Sequence, residues 1–245
     1  MDMEIKKEMM TYVDRGWGLD RKSEKRFKEL VLKHEEIAKE VYRNTSHQPG
    51  NNVRKMILMF LNNENRGADL AKEEAHRLAY AMEVVDCSKE EEEAFKLWLS
   101  GESDSMPDKL PRNKYVVFIG NYVDSEQLCY MSKVSEFTAR CLVYGLHRGY
   151  VDLFRESVKE MMRNLGVEHT RDFLDAMFER YKISQKDVMQ MYSAIFAGGA
   201  KTKEEKAFYT EYVEKWLATS KEEYLAAISE ISKDCRNKIM KKLSL

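Results

Sequence analysis

Proline is nearly absent, with three residues in a chain of 245. Few breakers leave long segments free to run as helix. The four cysteines, Cys87, Cys129, Cys141 and Cys235, form no CxxC pair, and no histidine spacing completes a zinc site. A structural zinc or a disulfide framework is therefore not read, and free thiols in a reducing compartment are expected. No window approaches the ~18 apolar residues of a membrane span. The first ten residues, MDMEIKKEMM, are charged and lack the apolar stretch of a signal peptide. A cytoplasmic protein is expected. The formal net charge of -1 asks for neither nucleic acid nor a membrane as partner. No catalytic motif stands out, so no cofactor and no metal are expected.

What remains is helical. Charged residues make up 34% of the chain and apolar ones 43%, with Glu, Lys, Ala, Leu and Met dominant and β-branched runs scarce. The fifteen methionines fit core filling. Helix-start signals recur. Asp20 precedes a long helix expected over 21–43, with Phe27, Leu30, Val31, His34, Ile37, Ala38 and Val41 at the helical period. Ser88-Lys-Glu-Glu91, Thr202-Lys-Glu-Glu205 and Ser220-Lys-Glu-Glu223 each read as a capping box, and Ser184 as a cap. The unequal spacing of the three boxes argues against a solenoid repeat. Further helices are expected over 53–61, 68–85, 150–165 and 170–183, and from 184 to about 197. Gly149, Gly166 and Gly198-Gly199 are expected to end helices.

The central element is Ser132–Arg148, SKVSEFTARCLVYGLHR. Val134, Phe137, Cys141 and Tyr144 form an apolar stripe, with Arg140 and Arg148 expected beside it and His147 nearby. Residues 101–114 hold two of the three prolines and read as a linker between N-terminal helices (1–100) and C-terminal helices (115–245). The fold class expected is all-α, an antiparallel bundle of about nine helices. One enzyme-like pattern exists: Arg163-Asn164 followed by His169 matches the R-N-x4-H of HEPN-type helical RNases. Gly166 inside it should break the helix that would align the two groups.

Three stretches resemble the 14-3-3 family. Val53–Ala68, VRKMILMFLNNENRGA, is similar to the family's E-R-N-L-L-S-V-A-Y-K-N-x-x-G-A-R-R. Ser132–Tyr144 is similar to its S-K-V-F-Y-x-K-M-K-G-D-Y-x-R-Y helix, and Asp187–Ala207 to its L-A-L-N-F-S-V-F-Y-Y-E-I helix with the S-P-E-K-A that follows. The order is co-linear over residues 27–243.

The resemblance implies an adaptor without catalysis that holds phosphorylated or unphosphorylated partner proteins in a helical groove. It also implies dimerisation through the N-terminal helices. In the family a lysine, two arginines and a tyrosine hold the phosphate, as bidentate arginine bonds do well. Here the lysine position carries Asn62, one arginine falls at Asp69 or Leu70, and the arginine–tyrosine pair falls at Gly145-Leu146. Arg140 stands where a groove lysine occurs, and the asparagine that grips the peptide backbone becomes Tyr192. The implied peptide-binding set is Asn62, Arg66, Lys72, Arg140, Tyr144, His147, Arg148 and Tyr192, with an atypical or lost phosphate pocket. A structural helical scaffold without phosphate recognition is the alternative, followed by the HEPN-like RNase.

Overall fold

The structure, a computed structural model, describes residues 2–13, 19–45, 52–114 and 137–243. Of these residues 79% are helical, in thirteen α-helices, so the protein is all-α. The helices are shorter and more numerous than the nine expected. The chain divides into two compact units. Unit 1 comprises Met1–Pro107 and Asn113–Thr138, and unit 2 comprises Asp108–Arg112 and Ala139–Leu245.

Unit 1 is built from α1 (Asp2–Val13), α2 (Arg21–Lys33), α3 (Glu35–Asn44), α4 (Asn52–Asn63), α5 (Ala68–Ala81) and α6 (Lys89–Ser100). Asp20 caps α2 as expected, accepting from the Lys22 and Ser23 backbone N–H groups. The single helix expected over 21–43 is interrupted at His34, whose φ of -126° and ψ of 59° leave the helical region. Both halves pack against α1 and α4, with Phe27, Leu30 and Val31 of α2 and Ala38, Val41 and Tyr42 of α3 buried. The rings of Tyr12 and Phe27 lie 5.2 Å apart, and Phe60 meets Phe27 edge-on at 6.3 Å. Further along, α5 packs on α6, burying Leu70, Leu78, Phe95 and Trp98.

The helix expected to reach Val85 stops at Ala81. The β-branched pair β1 (Val84–Val85) forms a minimal two-stranded sheet with β2 (Arg112–Asn113), a small departure from the wholly helical expectation. Ser88 forms the expected capping box on α6: its hydroxyl accepts from Glu91 N–H at 3.2 Å while the Glu91 carboxylate accepts from Ser88 N–H at 2.7 Å.

Unit 2 holds nearly all of α7 (Phe137–Arg148), then α8 (Val151–Leu165), α9 (Val167–Arg180), α10 (Gln185–Ala194), α11 (Lys203–Thr219), α12 (Lys221–Ser229) and α13 (Lys233–Leu243). Gly149 and Gly166 end α7 and α8 with φ of 68° and 81°, a region open to glycine. The helix expected from Thr170 begins three residues earlier, directly after Gly166. Thr170 lies inside it, its hydroxyl donating back to Gly166 O at 2.8 Å.

Ser184 and Thr202 cap α10 and α11 as expected. Ser220 does not. It is already the C-cap of α11, its N–H bonded to Trp216 O, and at φ -146° and ψ 44° its side chain makes no cap bond. Between α10 and α11 the chain makes a π turn, Ile195–Gly199, closed by Ala200 N–H to Ile195 O at 2.9 Å. Two cations hold its carbonyls: Lys242 Nζ donates to Phe196 O at 2.6 Å and Arg155 Nη1 to Gly199 O at 2.8 Å.

The core of unit 2 centres on Tyr192, whose ring lies 5.0–6.2 Å from those of Phe154, Phe178, Phe208, Tyr209, Tyr212 and Trp216. The sequence also reads as a turn at 16–18, a short helix at 115–119 and a helix cap at 124–127; these lie outside the described residues, as do Ser132–Glu136 at the start of the central element.

Candidate functional site

On α5, Lys72, Ala75 and His76 are spaced i, i+3, i+4 and so share one strip of helix surface. Opposite them, α6 ends at Ser100, and Gly101 reverses the chain in the left-handed conformation (φ 89°, ψ 8°). The reversal is fixed by Glu102 N–H donating to Leu97 O at 3.0 Å, and it delivers the Glu102 side chain to His76. Together with Glu73, Asp104 and Phe137 these residues line a cleft of about 790 Å³, all within unit 1.

Within the cleft, Glu102 Oε1 lies 2.5 Å from His76 Nδ1 and accepts from Ser100 Oγ at 3.0 Å. The bond with His76 holds the Glu102 carboxyl below its ordinary range; burial opposes this and the Ser100 bond adds to it. The imidazole stacks on the Tyr80 ring at 4.4 Å, and Tyr80 in turn donates to Glu93 at 2.7 Å. With Nδ1 engaged, Nε2 is the ring nitrogen left for a ligand. The serine, histidine and carboxylate do not form a nucleophilic relay. In such a relay the histidine stands between the other two, whereas here Glu102 bonds both.

A second polar group lies inside unit 1 and is structural. Glu74 (6% exposed) accepts from Tyr42 Oη at 2.8 Å, from Arg54 Nη2 at 2.7 Å and from Arg77. The Arg54 guanidinium sits 4.1 Å above the centre of the Tyr42 ring. Burial raises the Tyr42 hydroxyl far above its ordinary value, with the Glu74 charge adding to it.

Of the eight residues implied by the resemblance, only Lys72 lines the cleft. Asn62 is buried at the end of α4 against Gly67, and neither its amide nitrogen nor its oxygen has a hydrogen-bond partner. Arg66 is paired with Glu35 at 2.7 Å. These three belong to unit 1, and the other five to unit 2.

The expectation for Arg140 is corrected. It is 1% exposed, because it follows Phe137 by three residues and precedes Tyr144 by four, on the buried strip itself. Tyr144 is a core residue whose hydroxyl donates to Pro111 O at 2.9 Å. Tyr192 is fully buried at the centre of its aromatic cluster. His147 is exposed and Arg148 half-buried at the end of α7.

Arg163 and His169 occupy separate helices, α8 and α9, with Gly166 between them. Among the described residues no cluster of His, Cys, Asp and Glu could hold a metal ion, and no helix is long and apolar enough to cross a membrane. His76 and Glu102 were not read from the sequence. His76 could have been found as the i+4 neighbour of Lys72, but nothing local marks Glu102, 26 residues further on. In comparisons with known proteins, no family model, curated protein or solved structure matches this chain.

Proposed function

We propose that the protein is a non-catalytic binding module of the 14-3-3 type, an adaptor that captures an extended segment of a partner protein. The observation that carries this reading is the unit 1 cleft of about 790 Å³, in the range of ligand pockets, with Phe137 and Ala75 as apolar wall and a few converging polar groups. Its carboxylates Glu102 and Asp104, with Glu73 already paired to Arg43 at 2.6 Å, stand against Lys72, which favours a segment presenting a basic side chain over one presenting a phosphate. Among the described residues no arginine lines it, and the bidentate clamp that makes phosphate sites tight needs arginine. The burial of Arg140 and the pairing of Arg66 with Glu35 support the same choice. The phosphate pocket is lost in this reading while peptide capture is kept.

Fluorescence anisotropy with a peptide library, each member made with and without phosphoserine, tests it. Unphosphorylated peptides bearing lysine or arginine should bind, and Glu102→Gln with Asp104→Asn should weaken them by roughly tenfold or more, as loss of charged hydrogen bonds does. A folded protein that binds no member would favour the structural scaffold, to which the burial of Tyr144 and Tyr192 also points. Binding restricted to phosphorylated members would overturn the choice of a basic segment.

A further inference from the structure

Unit 2 carries a cavity of its own, about 450 Å³, between α9, the turn before α10, and α11. Three aromatic side chains line it: Phe178, Tyr212 and Trp216. Tyr192 backs all three, its ring 6.2, 5.0 and 5.9 Å from theirs respectively. The hydroxyl of Tyr212, which lines the cavity, and that of Tyr192 behind it are both buried without a hydrogen-bond partner among the described residues. Burial raises the Tyr192 hydroxyl well above its ordinary value, with the neighbouring phenols adding to it. Burial and the Asp175 charge push Tyr212 up to about 12, so its hydroxyl stays protonated and neutral.

Asp175 and Glu179 stand one turn apart on α9 and line the same cavity, and neither carboxylate makes an ion pair or side-chain hydrogen bond among the described residues. Ring faces are negative, and carboxylates beside them add to that field. The chain itself demonstrates what such rings hold. The Arg171 guanidinium lies 5.7 Å from the Tyr212 centroid and 5.9 Å from that of Phe208, while Nη2 donates to Glu211 at 2.9 Å.

The geometry points to a second binding site in unit 2, where the Phe178–Tyr212–Trp216 floor and the Asp175 and Glu179 carboxylates take a guanidinium group, a function independent of the unit 1 cleft. The guanidinium stacks on a ring face and donates to Asp175 and to the Tyr212 hydroxyl oxygen. Two exposed lysines, Lys182 and Lys215, stand at the mouth. They oppose a bare cation and would pair with the carboxylate of free arginine, so they separate the two sources of the group.

Calorimetry on the full chain with N-acetyl-arginine amide, whose one charge is the guanidinium, tests the site. The neutral citrulline analogue is the matched control. Saturable binding of the arginine compound is expected, at least roughly tenfold tighter than the analogue, as expected for a charged hydrogen bond and a cation–π contact. Asp175→Asn and Tyr212→Leu should each weaken it, Tyr212→Phe should weaken it less than Tyr212→Leu because the ring face stays, and Lys215→Ala should tighten it. Circular dichroism checks that each variant is folded. Free L-arginine binding more tightly than the blocked amide would assign the site to a small molecule, and equal or weaker binding to an arginine side chain of a peptide; both support the guanidinium site. Equal binding of the citrulline analogue, or no saturable binding up to roughly 10 mM, would overturn it.

Discussion

Replacing Glu74 by alanine is expected to destabilise the protein by about 3–5 kcal/mol, the cost of breaking a buried ion pair from one side. The magnitude follows from what the change leaves behind. Arg54 is 7% exposed and would keep its charge with its carboxylate partner gone. Tyr42, 2% exposed, would lose the acceptor for its hydroxyl, itself an effect of about 1–3 kcal/mol and not additive with the first. Against a net stability of about 5–15 kcal/mol, this is a large fraction.

The loss carries a pH signature. Burial by itself would raise the Glu74 carboxyl; the hydrogen bond from Arg77, the charges of Arg54 and Arg77 and the Tyr42 hydroxyl outweigh it and hold the group below its ordinary 4.5. A carboxyl lowered in the folded state contributes stability that is complete above its unfolded pKa and is lost as pH falls through the folded one. The difference between wild type and Glu74→Ala should therefore be flat above about pH 5 and shrink in acid. Urea unfolding followed by far-UV circular dichroism at several pH values measures it. Converting the pair together, Arg54→Met with Glu74→Leu, should recover most of the loss, since a well-packed apolar pair often equals a buried ionic one. A single-variant loss under about 1 kcal/mol, or a double variant no better than the single, would refute the reasoning.

Two further outcomes are expected. Ser88→Ala and Thr202→Ala should each cost about 1 kcal/mol in the same assay, whereas Ser220→Ala should cost little, because only the first two side chains make cap bonds. Burial pushes the Cys141 thiol far above its ordinary value, so Cys141 should resist alkylation in the native protein while the half-buried Cys87 and Cys235 react, a contrast that mass spectrometry of iodoacetamide-treated protein reads directly.

Helix starts were the most legible feature, because a cap depends on residues within one turn: Asp20, Ser88, Ser184 and Thr202 all form the bonds their sequences imply. Ser220 fails for a reason that is not local to its own box, namely that the preceding helix already claims it. The break at His34 was hidden because the apolar period runs through it, while its backbone alone leaves the helical region. Arg140 shows a different failure. Its spacing placed it on the buried strip between Phe137 and Tyr144, but its charge suggested a flank; α7 is buried almost all round, with Leu142, Val143 and Leu146 covered as well. The cleft was legible only at Lys72. Its other wall comes from the end of α6, and contacts between helices about 26 residues apart leave no periodic trace in the chain.

The π turn after α10 has a consequence for length variation in this chain. Its closing bond spans one residue more than an α-helical bond, and the turn ends the helix rather than interrupting it, since Ala200 and Thr202 are already extended. Deleting one residue there would remove the wide closing bond and move the Phe196 and Gly199 carbonyls, which Lys242 and Arg155 hold. Loops elsewhere can gain or lose residues at modest cost, but a change of length here would also cost the two cation–carbonyl bonds that tie the turn to α8 and α13.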